Sequence, residues 1–245
     1  MKVQSAISII IVTYNAAGTL QKCLESVYRQ KYPSLKIIII DGESTDGTVD
    51  IIKANINKIY YWKSERDSGV YDAMNKAIKK RTGDWVYFLG ADDELFDDFS
   101  TLAFQLEDRN AIFYANVLTN GVKRAGKVSV YKMAKHGLFH QSIIYPVSVF
   151  DKYIFDCRYK IVADNVLNMK CWKDRNFRFI YKNYTIAHFN HTGISGTFRD
   201  GAFEKDKAGL ILKYYGIFVW LRYMIRTLRK RIWTNSRNVP MPVYI

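Results

Sequence analysis

Ile7-Ser8-Ile9-Ile10-Ile11-Val12 is an almost unbroken apolar run rich in β-branched residues, and Lys36-Ile37-Ile38-Ile39-Ile40 repeats it. Runs of this kind read as strands buried on both faces, the signature of a parallel sheet. Between them, Leu20, Cys23, Leu24 and Val27 fall at helical three- and four-residue steps. Working outward, Ser44-Thr45-Asp46-Gly47-Thr48 offers N-cap residues for a helix through Ile51 and Ile52. Residues 59–62 read as a short strand, 71–80 as a helix and 84–89 as a strand. This alternation predicts an α/β fold: an open, mostly parallel sheet flanked by helices, with right-handed crossovers. Ligands of such sheets bind beyond the carboxyl ends of the strands. Thr13, Tyr14 and Asn15, then Asp41, then Asp92 and Asp93 all fall there.

Beyond residue 100 the pattern is less regular. A helix is expected near 102–106, strand-like pieces at 111–114 and 127–131, a loop at 136–141, a helix at 163–172, and strands at 177–181 and 185–189. Residues 214–233 read as one amphipathic helix, with Phe218, Leu221, Ile225, Leu228 and Ile232 on one face and Arg222, Arg226, Arg229 and Lys230 on the next. Tyr214, Tyr215, Trp220, Tyr223 and Trp233 surround it. Aromatic rings and arginines around an apolar stripe suit a helix lying in a membrane interface. The expected division is therefore a domain over 1–205, with halves 1–100 and 101–205, and a basic aromatic tail over 206–245.

The chain has 245 residues, 37 Lys and Arg against 23 Asp and Glu, and a net charge of +14. At 49% hydrophobic and 24% charged it can bury a sizeable core, which excludes global disorder. Seven of the basic residues, and no acidic one, lie from Lys213 onward. Such a balance implies an anionic partner: phosphate-bearing substrate, acidic lipid or nucleic acid. Cys23, Cys157 and Cys171 are too scattered for a disulfide framework and point to a reducing compartment. The N-terminus lacks the apolar length and small-residue cleavage site of a signal peptide. No stretch reaches eighteen uncharged apolar residues, so no spanning helix is expected.

The acidic groups carry the chemistry. Two adjacent carboxylates at a buried strand end, Asp92 and Asp93, repel each other unless a cation sits beside them, and hard oxygen donors favour Mg²⁺ or Mn²⁺. Asp41 is acceptor-only and can receive a nucleobase N–H or a ribose hydroxyl; its bland alternative is a turn leading into Gly42. Asp67 precedes a helix and either pairs with Arg66 or Lys76 or contacts a ligand. Asp164 at a helix start is explained by capping, or, facing a cleft, can take a proton from a hydroxyl. His188 and His191 are weak signals. His140 and Gln141, in a polar loop, are candidate contacts to a second substrate.

Residues 9–15 (Ile-Ile-Ile-Val-Thr-Tyr-Asn), 40–48 (Ile-Asp-Gly-Glu-Ser-Thr-Asp-Gly-Thr), 67–76 (Asp-Ser-Gly-Val-Tyr-Asp-Ala-Met-Asn-Lys) and 89–93 (Leu-Gly-Ala-Asp-Asp) together resemble the family 2 inverting glycosyltransferases, in particular the bacterial O-antigen and capsule enzymes. Past residue 101 the likeness rests on His140-Gln141, Ala163-Asp164 and Gly193-Ile194-Ser195. The resemblance implies a GT-A fold and a nucleotide-sugar donor, UDP favoured over GDP. It implies that Thr13, Tyr14, Asn15, Asp41 and Asp67 line the nucleotide pocket and that Asn75 sits near base or ribose. Asp92 matches the metal-binding carboxylate of the family's DxD motif, supported by Asp93, and Asp164 matches the catalytic base. Two positions depart from the pattern: Gly90 stands where DxD begins, and Asn165 follows the base where an aromatic or acid is common. The acceptor implied is a lipid-linked glycan, reached from the cytoplasmic face of the membrane by a peripheral enzyme.

Two other classes compete. A metal-dependent nucleotidyltransferase needs a Gly-rich basic loop after the first strand; residues 13–19 hold one glycine and no basic residue. A nucleic-acid-binding protein would explain the charge, but the basic residues gather in the tail while acids occupy the strand ends, so no nucleic acid is expected.

Overall fold

A computed structural model describes residues 4–124, 126–190 and 200–237. β1 (Ile7–Thr13) leads through α1 (Leu20–Tyr28) to β2 (Leu35–Asp41), then α2 (Thr48–Ala54), β3 (Tyr61–Ser64), α3 (Val70–Ile78) and β4 (Trp85–Gly90). β1 runs parallel to β2, with Thr13 opposite Asp41, and parallel to β4, with Val12 opposite Gly90. β3 extends the parallel set, with Ser64 opposite Asp41. The carboxyl ends of four strands therefore meet at one level of the sheet.

Alternation along the buried strands divides the core. Ile10, Ile38, Ile40, Val86 and Phe88 face α3, while Ile9, Ile11, Ile37, Ile39 and Leu89 face α1 and α2. This is what a strand covered on both sides requires, and it explains why both apolar runs are unbroken.

The second half reverses direction. β5 (Glu94–Leu95), α4 (Asp98–Ala103), β6 (Ala111–Thr119), β7 (Val122–Arg124), α5 (Val130–His136), β8 (Ile143–Pro146), α6 (Ser148–Lys152), α7 (Ala163–Lys173) and β9 (Arg178–His188) follow. β8 inserts antiparallel between β4 and β6, β9 lies parallel to β6, and β5 closes the edge, giving the order β3-β2-β1-β4-β8-β6-β9-β5 with β7 beside β6. The sheet is thus mixed, not merely parallel.

Three expectations change. Residues 127–131 do not form a strand: Ser129 caps α5, its hydroxyl accepting from Lys132 N at 3.3 Å. The two strands expected at 177–181 and 185–189 are one, β9, irregular in register near Tyr114 and Asn116 of β6. The single tail helix is two, α8 (Gly201–Tyr215) and α9 (Ile217–Arg237), parted at Gly216, whose φ of 85° is in the left-handed region that favours glycine. The break therefore falls at 216, while α8 runs straight through residue 206 and buries Phe203 and Ile211 in the core. Tyr214, Tyr215, Trp220 and Tyr223 pack inward against that core instead of ringing the outer face. No helix among the described residues is long and apolar enough to cross a membrane. The side chains of Lys230, Ile232 and Trp233 lie outside the description, as do His191 and Gly193-Ile194-Ser195.

Candidate active site

The loop after β1 and the loop after β2 are laced together. Asn15 sits at φ 49°, its side-chain oxygen accepting from Thr45 N at 3.0 Å while its own N–H donates to Ser44 Oγ at 2.8 Å. Ala16 N donates to Thr48 Oγ1 and Ala17 N to Asp46 Oδ2. The run Ser44 to Thr48, read as a helix start, is equally this lacing. Asn15 contributes its N–H and side-chain oxygen to this lacing while remaining exposed.

Asp41 is fully buried. Thr13 Oγ1 and Ser44 Oγ donate to its Oδ1, and Ser44 N (3.0 Å) and Ser64 Oγ (2.7 Å) to its Oδ2. Burial alone raises a carboxyl pKa, at a cost of several kcal/mol for the charged form. Four donors at about 1.5–3 kcal/mol each offset that, and Asp41 is held below the ordinary carboxylate range despite its burial. Its acceptor capacity is spent on Thr13, Ser44 and Ser64. Asp41 and Thr13, expected to line a nucleotide pocket, are engaged here in fixing the strand ends. Asn75, expected near base or ribose, is engaged within the protein. Its amide donates to Phe155 O at 2.9 Å and accepts from Phe155 N at 3.0 Å, tying α3 to the segment after α6.

Tyr14 and Asp67 differ. Tyr14 is 69% exposed. Asp67 caps its own turn through Gly69 N at 2.8 Å, and its Oδ2 lies so close to Gly42 that a Cβ there would sit 2.7 Å away. Gly42, against both Tyr14 and Asp67, is what lets that carboxylate enter. These two side chains face the rim beside β2.

At the end of β4, Asp93 is 1% exposed and turned inward. Its Oδ1 accepts from Asn190 N (2.9 Å), and its Oδ2 from Gly90 N (3.1 Å) and Gln141 Nε2 (2.7 Å). Burial nonetheless pushes it up to about 7, the neighbouring Asp92 adding to the rise. A Cβ on Gly90 would meet Asp93 Oδ2 at 2.4 Å, so glycine at the head of the DxD pattern is the steric condition for Asp93's inward turn. Gln141, 2% exposed, commits its Nε2 to Asp93, while its Oε1 is buried without a hydrogen-bond partner among the described residues. Asp92 is half-buried and raised by burial, opposed only weakly by its own backbone N–H. A carboxylate half-withdrawn from water beside a second acid is chemically able to take a divalent cation, and Asp92 is the residue here that could hold one, with Asp93 buried behind it. The described residues hold no cluster of three or more acidic, histidine or cysteine groups, so further donors would come from substrate and water.

Asp164, in the first turn of α7, is 7% exposed. Its Oδ1 accepts from Asn165 N at 2.8 Å and lies 2.9 Å from the Tyr71 hydroxyl on α3. Burial pushes it up to about 6, the Tyr71 and Asn165 hydrogen bonds pulling the other way. His140 Nδ1 is 3.8 Å from Oδ2, but burial pushes that imidazole down to about 4, so at neutral pH the contact is not an ion pair. Gly137, at φ 71°, lets Asn165 lie directly against it. The residue following Asp164 is thus a packing element of the loop that carries His140. Sequence reasoning missed Tyr71, whose partner is 93 positions away; no local pattern signals it.

A mixed α/β sheet with acids gathered at the ends of its parallel strands defines a GT-A fold. The chain belongs to glycosyl transferase family 2, whose family model matches residues 8–201. It is 31% identical over 210 residues to a PGL/p-HBAD biosynthesis glycosyltransferase of Mycobacterium bovis, covering 81% of this chain and 82% of that one. It is 24% identical over 249 residues to a dolichyl N-acetyl-alpha-D-glucosaminyl phosphate 3-beta-D-2,3-diacetamido-2,3-dideoxy-beta-D-glucuronosyltransferase of Methanococcus voltae, covering 88% and 77%. In fold it matches TarS residues 1–349 of S. aureus in complex with UDP-GlcNAc, with a TM-score of 0.70, 19% identity and coverage of 85% and 67%. It also matches the mannosyltransferase PcManGT of Pyrobaculum calidifontis in complex with GDP-Man and Mn²⁺, with a TM-score of 0.62, 17% identity and coverage of 87% and 64%. The chain thus spans about two thirds of the length of these solved structures.

Proposed function

We propose that this glycosyltransferase moves a sugar from a nucleotide-sugar donor, UDP-linked by preference, to a hydroxyl of a lipid-linked glycan, with inversion at the anomeric carbon. The observation that carries this reading is Asp164: a buried carboxyl, raised to about 6, at a helix start. A base with a pKa near the working pH matches proton removal from a hydroxyl in the transition state. The acceptor O–H proton goes to Asp164 as the acceptor oxygen bonds the anomeric carbon. The bond from that carbon to the diphosphate breaks, and its electron pair leaves with the diphosphate. Attack opposite the leaving group inverts the centre. Tyr14 and Asp67 contact the nucleotide, while Asp41, Thr13 and Asn15 hold the loops that present them. Asp92 would hold Mn²⁺ or Mg²⁺, which supplies charge stabilisation to the departing diphosphate. His140 lines the acceptor side.

Support for donor and acceptor classes comes from the UDP-GlcNAc complex among the fold neighbours and from the M. voltae relative, whose name gives a dolichyl-phosphate-linked sugar as substrate. The membrane side of the proposal rests on α9. Ile217, Phe218, Leu221, Ile225 and Leu228 are exposed along one stripe, and Arg222, Arg226 and Arg229 share the groove around Ile225. Lys132, Lys135, Lys207 and Arg226 all bear electrostatically on His136 at the end of α5, four residues before His140. Such a face fits the anionic surface of the cytoplasmic membrane. The test is nucleoside diphosphate release from a panel of nucleotide sugars with Mn²⁺, comparing Asp164→Asn and Asp92→Ala. Full turnover by Asp164→Asn would remove the mechanism. Failure of the protein to float with vesicles containing phosphatidylglycerol would remove the membrane face.

A further inference from the structure

Tyr71 sits near the start of α3, 5% exposed, its ring packed on Phe155 with centroids 5.2 Å apart. Its hydroxyl has two acceptors in reach: the Ile161 carbonyl oxygen at 2.7 Å and Asp164 Oδ1 at 2.9 Å. A phenol carries one proton, so it satisfies one acceptor at a time. Neither acceptor is loosely held. Ile161 is anchored one peptide unit before the accepting carbonyl, through its N–H, which donates to Asp200 Oδ2 at 2.9 Å, and Asp164 Oδ1 also receives Asn165 N.

We propose that Tyr71 is a positioning residue for the base: its hydroxyl donates to Asp164 Oδ1 while the carboxylate is charged and turns to the Ile161 carbonyl when Asp164 takes up a proton. This rests on the reading of Asp164 as the base. Oδ2, the oxygen facing His140, receives the proton. The acceptor O–H bond breaks, an Oδ2–H bond forms, and Oδ1 becomes a weak carbonyl-type acceptor. Tyr71 then loses little by turning, because Ile161 O is as near as the oxygen it leaves. The hydroxyl thereby holds the charged base in one rotamer and favours its charged form, and keeps an acceptor of its own when the base is protonated. A hydrogen bond to a charged acceptor is worth more than one to a neutral one, so the rotor tracks the charge.

The groups facing Asp164 are few. Tyr71 comes from α3, His140 from the turn before β8, and Tyr145 from β8, its hydroxyl committed to Asn168 Oδ1 at 2.9 Å. Among the described residues no lysine or arginine makes an ion pair with Asp164. His140 is neutral across the working range, because burial pushes it down to about 4.

The test follows the Asp164 carboxyl by carbon-13 NMR, the signal assigned by its loss in Asp164→Asn, alongside the pH profile of kcat/KM. Tyr71→Phe removes the donor and should move the Asp164 midpoint up by about one pH unit, with the acid limb of the profile moving equally. Site-specific 3,5-difluorotyrosine at position 71 keeps the ring and strengthens the donor, and should move the midpoint down. Only that pair of opposite movements supports the proposal; any other pattern overturns it. The NMR midpoint needs no turnover, so it judges Tyr71 even if Asp164→Asn retains activity and the base reading itself fails.

Discussion

Asp41 ends strand β2 and Asp164 lies in the first turn of α7. Both are buried aspartates with a hydroxyl donor nearby, yet their proton affinities diverge. Asp41 receives three hydroxyls and a backbone N–H and stays below the ordinary range. Asp164 receives one backbone N–H and shares one hydroxyl with a rival acceptor, and is pushed up to about 6. Asp164 is the more deeply desolvated and receives fewer donors, and both differences push it up relative to Asp41. Asp41 is thereby built as a permanent anion that fastens loops, Asp164 as a group that can exchange a proton. Asp93 rises highest of the three, to about 7: three donors do not offset its burial and the charge of its neighbour Asp92.

The comparison breaks most visibly in activity. Asp164→Asn should cost about 10²–10⁴-fold in turnover with no loss of melting temperature, because the amide removes a buried charge. In steady-state assays, turnover within a few-fold of the parent would place both aspartates in the same structural class. Asp41→Asn should do the reverse, lowering stability by about 2–4 kcal/mol through donors left facing an amide, measured by urea unfolding. Asp41's folded value is depressed, so its contribution is present above the ordinary carboxylate pKa. It fades as pH falls through the depressed value, and the parent and variant curves should converge there.

Asp93 sharpens the contrast through pH. Its folded value, like that of Asp164, lies above the unfolded one, so the folded chain binds the proton more tightly. That contribution is complete below the ordinary carboxylate pKa and is lost as pH rises through about 6 to 7. Unfolding in the presence of a chelator should therefore show stability falling from pH 4 to 8, and Asp93→Asn should flatten the upper part by about 1–3 kcal/mol. An unchanged slope would show that Asp93 does not titrate there. The smallest effect belongs to Gly90→Ala, in which the new methyl meets Asp93 Oδ2; about 1–2 kcal/mol of destabilisation is expected from overpacking. A neutral result would mean that Asp93 has room to turn outward.

The two halves of the molecule differ in how far the sequence disclosed them. In the first hundred residues each strand is followed by its covering helix, and the strand ends in register were readable from apolar runs and the polar residues after them. What could not be read was which polar residue at those ends is spent on the protein. Asp41, Asn15 and Asn75 look like ligand contacts because they follow strands or lie in shared motifs. Their partners, Ser64, Thr45 and Phe155, are 23, 30 and 80 positions away. In the second half the sheet is mixed, with β8 inserted antiparallel between β4 and β6 and β9 parallel to β6, and pairing of that kind leaves no local period. Val128 to Tyr131 alternate like a strand, yet Ser129 offers a cap and the helix wins. The tail's apolar stripe was legible; its break at Gly216 and the inward turn of its aromatics depend on contacts with α5 and α7 that no helical wheel contains.

Site-resolved carbon-13 titration of the Asp41 and Asp164 carboxyls in the parent chain tests this contrast of donors and desolvation directly. The account predicts two well-separated midpoints, Asp164 near 6 and Asp41 below the usual carboxylate value. Coincident midpoints, or the reverse order, would contradict it.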